Sequence, residues 1–223
     1  MKDKGRTEMK AKIWQIIICI LIALALLTGV SFGAGYAMRN IRAVIKLGDI
    51  TVDSSTITYV ASFYKMKYIE KHDHEGAGDT EEFWETLTVD GITHAEDYEC
   101  EFKEFLRLTV AKAYVYITNH GYTAEDKIRV AEKSESVLRQ YANGSVSEFN
   151  KIAKEYGFDF DDFQNADALF YKSEKADELL PDTLGMEQYE AKVAEALEKV
   201  VFNRLYDSID VIDVPIINDY YVR

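Results

Sequence analysis

Cysteine, proline and glycine are all scarce in this chain, and each shortage closes off a class of structure. Two cysteines in 223 residues make no disulfide framework, and these two have no prospect of pairing, because Cys19 lies in an apolar run and Cys100 in a stretch that reads as a soluble helix. Two prolines, 12 glycines and few strand-like runs argue against an all-β chain. No repeat period is present, which excludes solenoids and propellers. Positive charge is also short: 26 Lys and Arg stand against 39 Asp and Glu, for a net charge of -13. An acidic domain gains nothing from releasing phosphate counterions, so nucleic acid is excluded as a partner and basic clients or cations suit it better. Catalytic signatures are missing too. There is no Gly-x-Ser-x-Gly, and Cys100 is flanked by Glu99 and Glu101, whose charges oppose a thiolate and leave a buried or idle thiol. Asp159, Asp161 and Asp162 resemble part of a calcium loop but lack the glycine at its sixth position and the glutamate at its twelfth, so they read as the acidic first turn of a helix.

What charge there is lies unevenly. Residues 1–12 are basic through Lys2, Lys4, Arg6, Lys10 and Lys12, whereas nearly all the acids follow Arg42. Residues 13–38 carry no charge at all, and at about 1.5 Å per residue such a helix exceeds the roughly 30 Å hydrocarbon layer. With Trp14 and Tyr36 at its ends and the basic segment before it, the run reads as a transmembrane signal-anchor helix with a cytoplasmic N-terminus. A cleavable signal peptide is the alternative, since Gly33, Ala34, Gly35 and Ala37 supply small residues for cleavage. Residues 39–223 then form one extracytoplasmic domain on a single-pass protein of the cell membrane, with the lipid bilayer engaged through residues 13–38.

Periodicity along that domain predicts a mainly all-α fold with a minor strand pair. Ala43 to Leu47 reads as a strand, Gly48-Asp49 as a turn, and Ile50 and Val52 as its return. Asp53, Ser54 or Ser55 caps a helix whose buried face holds Ile57, Val60, Ala61, Tyr64 and Tyr68, running to about Glu70. His72 to Glu82 has no apolar period and reads as a solvated loop. A long central helix from Thr93 or His94 carries Tyr98, Phe102, Phe105, Leu106, Thr109, Ala113, Tyr114 and Ile117, and stops at Asn119-His120-Gly121. Thr123 to Asp126 has the form of a capping box for a surface helix with Ile128, Ala131, Leu138 and Tyr141 on its thin stripe, ending at Asn143-Gly144. Ser147 is expected to cap a short helix reaching Gly157. The next helix, with Phe163, Ala166, Leu169, Phe170 and Ala176, is expected to stop at Leu180-Pro181. Met186 to Asp210 is the cleanest amphipathic pattern, and Val211 to Val214 has the form of an edge strand.

The one cluster with metal-ligand chemistry is His72-Asp73-His74-Glu75, with His94 further along; adjacent residues of a glycine-containing loop rarely converge on one ion without a rigid element behind them, so the solvated reading is the expectation. Carboxylate pairs are numerous, as on any acidic helical surface, and none is singled out as an acid–base pair. No catalytic, cofactor-binding or metal residue is assigned, no cofactor is expected, and peptide-contacting positions are not readable from the sequence.

The run Val44-Ile45-Lys46-Leu47-Gly48-Asp49-Ile50-Thr51 resembles the opening of the SurA N-terminal and PrsA chaperone family, and the order of helices after it, including His120-Gly121-Tyr122-Thr123 and the Phe158 to Leu180 segment, is similar to the peptide-binding module of those proteins and of trigger factor. The resemblance spans about Ala43 to Asp210. It implies an extracytoplasmic holdase or foldase that binds unfolded or newly translocated polypeptides in a concave aromatic surface. Members that isomerise prolyl bonds carry a parvulin domain, and no parvulin motif follows Asp210. The alternatives are a non-enzymatic assembly or scaffold subunit of one membrane partner, and a peptidyl-prolyl isomerase.

Overall fold

In the computed structural model the described residues are 43–74 and 76–216, all within one compact unit, Ala43–Arg223. The basic segment, the apolar run 13–38 and Cys19 lie outside them; among the described residues, no helix is long and apolar enough to cross a membrane. The domain is mainly helical with a small two-stranded sheet, as the sequence pattern predicts.

Strands β1 (Ala43–Leu47) and β2 (Ile50–Asp53) pair antiparallel, Leu47 opposite Ile50, around the Gly48-Asp49 turn. Gly48 has φ +57°, and a Cβ there would lie 2.7 Å from the Tyr114 ring, so the turn needs glycine both for its backbone and for its close approach to the long helix beneath. Asp53 accepts from the Thr56 N–H at 2.9 Å and starts helix α1 (Ser54–His72).

After α1 the described residues of 73–80 form the expected loop, exposed or half-buried. The Asp73 carboxylate accepts the N–H groups of Gly76, Ala77 and Gly78 at 2.7–3.0 Å, and Thr80 caps a short helix α2 (Glu81–Glu85) that buries Phe83 and Trp84. Sequence periodicity cannot register a five-residue helix. Helix α3 (His94–Asn119) opens with a full capping box of Thr93 and Glu96.

Helix α4 (Ala124–Ala142) has the expected capping box of Thr123 and Asp126, but its buried face holds Asp126, Val130, Ser134, Leu138 and Ala142, and Ile128 and Ala131 face solvent. Asp126 sets that rotation. Besides capping, its carboxylate accepts from the hydroxyls of Tyr116 (3.1 Å) on α3 and Tyr171 (2.8 Å), turning this end of the helix inward. Burial pushes the Asp126 carboxyl up, but the Thr123 N–H and the Tyr171, Thr123 and Tyr116 hydroxyls more than offset it, leaving the group below the usual carboxylate range. Asn143 (φ 49°) and Gly144 (φ 77°) end α4 with Gly144 N–H bonded to Leu138 O at 2.8 Å, so the next cap is Ser145 and not Ser147. It starts α5 (Val146–Ala153), followed by a 3-10 turn, Lys154–Tyr156.

Helix α6 (Phe160–Leu184) begins with a capping box of Asp159 and Asp162 and runs through Pro181, contrary to the expected stop. A proline in the last turn forfeits one hydrogen bond while Leu180 and Leu184 remain packed on the core. Gly185 (φ 86°) then redirects the chain into α7 (Met186–Lys199). The expected continuation to Asp210 ends eleven residues early because Val200 turns extended and Phe202 bridges to Ile45 while Asn203 N–H bonds Val44 O at 3.0 Å. This segment, and not 211–214, meets the free edge of β1.

The core runs between α3 and α6, with α1, α4 and α7 packed around α6. The tail 211–216 lies against α1 without forming a strand, because side chains take its carbonyls: Lys65 Nζ donates to Ile212 O (2.5 Å) and Val214 O (3.2 Å), and Ser62 Oγ to Pro215 O (2.6 Å). Lys65 is buried and paired with Asp79 at 2.7 Å, while Trp84 Nε1 donates to the same carboxylate.

Two outcomes follow. Lys65→Met leaves two tail carbonyls without their donor and removes the partner of Asp79, so urea unfolding is expected to show a loss of about 2–4 kcal/mol, with faster proteolysis beyond Val211. Burial pushes the Asp162 carboxyl up to about 6, with Asp159 and Asp53 adding to it against hydrogen bonds from Ser55 and the Asp159 N–H. The native state thus holds a proton that the unfolded chain releases near the ordinary aspartate value. Wild-type stability relative to Asp162→Asn is therefore expected to fall as pH rises from about 4 to about 6 and to level off above, in parallel chemical-denaturation series.

Candidate functional site

Four helices leave a cleft of about 390 Å³ between them. Each contributes residues at helical spacing, so one face of each helix builds one wall. Helix α1 supplies Tyr59, Phe63 and Lys67, α3 supplies Phe105 and Thr109, α4 supplies Lys133, Ser136, Val137 and Gln140, and α6 supplies Phe163, Asp167, Phe170 and Glu174. Tyr59, Phe163 and Asp167 form a buried floor; Phe63, Phe105 and Phe170 are half-buried walls; the lysines, Ser136, Gln140 and Glu174 are the exposed rim.

The aromatic walls are mutually braced. Phe170 lies 6.0 Å from Phe63 and 6.2 Å from Phe105 between ring centroids, Phe105 stacks on Tyr64 at 4.6 Å, and Tyr59 meets Phe163 edge-on at 5.6 Å. Lys67 Nζ sits 4.3 Å from the centre of the Phe63 ring, so that ring already carries a cation on one face. Asp167 is 4% exposed; one carboxylate oxygen binds Lys133 Nζ, and the other is buried with no hydrogen-bond partner among the described residues. Burial, with the Asp167 charge adding to it, pushes the Tyr59 phenol far above its usual range and keeps it a neutral hydroxyl.

A second polar cluster lies where α1 ends against α3. His72, Asp97 and Glu101 each bring one potential ligand atom within 4.8 Å of the others. Of the described residues of the His72-Asp73-His74-Glu75 run, only His72 reaches it. Asp73 holds the loop N–H groups, His74 is exposed, Glu75 lies outside the described residues, and His94 stacks on Phe83 at 4.5 Å and meets the Tyr68 hydroxyl at 3.0 Å. The carboxylates are already engaged: Tyr68 donates to Asp97 (2.8 Å), and Lys71 (2.9 Å) and Tyr64 (3.2 Å) to Glu101. Burial, then the Lys71 charge, lowers the His72 imidazole below its usual value. Cys100 is exposed and not buried.

The Phe105 and Phe170 walls and the Phe163 floor belong to stripes legible in the sequence, whereas Asp167 is missed by any reading that follows apolar residues alone. Its signal is a carboxylate four residues after Phe163 and three before Phe170, a charge on an apolar face.

No family model, curated protein or solved structure matches this chain.

Because Phe63 lines the open cleft, its truncation removes less buried surface than truncation in the core. Phe63→Ala is expected to cost about 1–2 kcal/mol and Phe102→Ala about 3–5 kcal/mol in denaturant unfolding.

Proposed function

We propose that this chain is a membrane-anchored, extracytoplasmic chaperone-like protein that binds unfolded or newly translocated polypeptide without covalent chemistry. The carrying observation is the cleft: three half-buried phenylalanines from three helices, over a polar rim that offers both donors and acceptors. Apolar side chains of an extended segment gain burial against those rings, while Lys67, Ser136 and Gln140 meet its backbone without demanding a sequence. The resemblance of Val44 to Thr51 and of the helical order to the SurA N-terminal and PrsA-type modules supports the same reading. The basic N-terminus and uncharged run 13–38 support tethering, which raises the effective concentration of the cleft near emerging chains. The acidic domain is repelled by an anionic headgroup layer and stands off it.

The full chain, purified in mild detergent, is expected to suppress aggregation of an unfolded model protein at near-stoichiometric ratios in light scattering, against an equally acidic inert control. Phe63→Ser combined with Phe170→Ser is expected to reduce that suppression several-fold while circular dichroism stays unchanged. No suppression at large excess overturns the holdase reading in favour of a single dedicated partner protein.

A further inference from the structure

Asp167 gives the cleft a feature that generic apolar binding does not need. Its carboxylate lies at the floor, 4% exposed, between Phe163 and Phe170 along α6. A buried carboxylate is costly unless both oxygens are bonded. Here Lys133 Nζ holds Oδ1 alone, and Oδ2 has no hydrogen-bond partner among the described residues. Lys133 reaches in from the rim of α4 with 65% of its side chain exposed, so it returns to solvent with little lost packing.

We infer that Asp167 makes the cleft floor a subsite for an arginine side chain of the bound polypeptide, with Lys133 as the internal cation that the guest displaces. The inference rests on the cleft being a polypeptide site. An ammonium is a point donor, and a guest lysine would only replace Lys133 like for like. A guanidinium presents two parallel N–H groups that match both carboxylate oxygens and so satisfies Oδ2 as well. Its planar face also suits the half-buried rings of Phe63, Phe105 and Phe170, and Lys67 over Phe63 shows that such a ring accepts a cation here. Glu174 on the same rim and the net charge of -13 favour approach of basic segments, and Lys67 opposes it only at the rim, where water screens it.

Three fluorescent peptides, identical and apolar except for one central Arg, Lys or Gln, are titrated against the full chain by fluorescence polarisation. The Arg peptide is expected to bind about tenfold more tightly than the other two. Asp167→Asn is expected to bring all three within about twofold, and Lys133→Met, which removes the competitor and keeps the carboxylate, to tighten the Arg peptide further. Equal binding of the three peptides to the wild-type chain overturns the arginine subsite and leaves the polypeptide cleft standing. Binding of none overturns both. A Lys133→Met variant that loses Arg binding also overturns the subsite, because it shows Lys133 contacting the guest instead of giving way to it.

Discussion

Burial of α3 against α6 is the interaction on which the rest of this domain depends. Along α3, Tyr98, Phe102, Leu106, Val110, Ala113 and Tyr116 are entirely removed from solvent, and α6 answers with Ala166, Leu169, Ala176 and Leu180. Fully buried alanines on both helices let the backbones come close, which is how two long helices bury most of their facing surface. Every other element is then located by one of the two. The hairpin rests its glycine turn on Tyr114 of α3, and α4 is anchored at Asp126 by a tyrosine from each.

The cleft is a consequence of that arrangement. Helix α6 supplies most of its floor and one of its walls while α1, α3 and α4 stand around it, so Phe63, Phe105 and Phe170 come from three different helices and converge without closing over. Half-burial of three large rings is the physical content of the proposed function: Phe105 stacks on Tyr64, and Phe170 meets both Phe63 and Phe105. Under that proposal a rigid aromatic wall would lose little conformational entropy on binding, and the exposed lysine and glutamine rim would adapt to many sequences.

Polar groups on the apolar faces do work that apolar burial cannot do. Lys65 gathers a loop carboxylate and two tail carbonyls onto α1, Asp126 joins three helices, and Asp167 places a charge under the cleft. Each interrupts a hydrophobic stripe, and each connects segments far apart in sequence. These are directional interactions, so they select one arrangement among the many that would bury similar apolar area.

Local chemistry alone determined much of this protein. Capping boxes at Thr93 and Thr123, the acidic start of α6 and the Gly48-Asp49 turn act through groups three or four residues apart, and the elements they start lie where the sequence places them. Tertiary structure decided what depends on partners distant in sequence. Pro181 stays helical because its neighbours are packed, and α7 ends at Lys199 because Phe202 and Asn203 find β1. His72 turns away from His74 toward Asp97 and Glu101 on another helix, and Asp167 becomes the floor of a cleft only once α1, α3 and α4 surround it. A helical period records that a side chain faces inward; which groups await it there is set by the packing of the other helices.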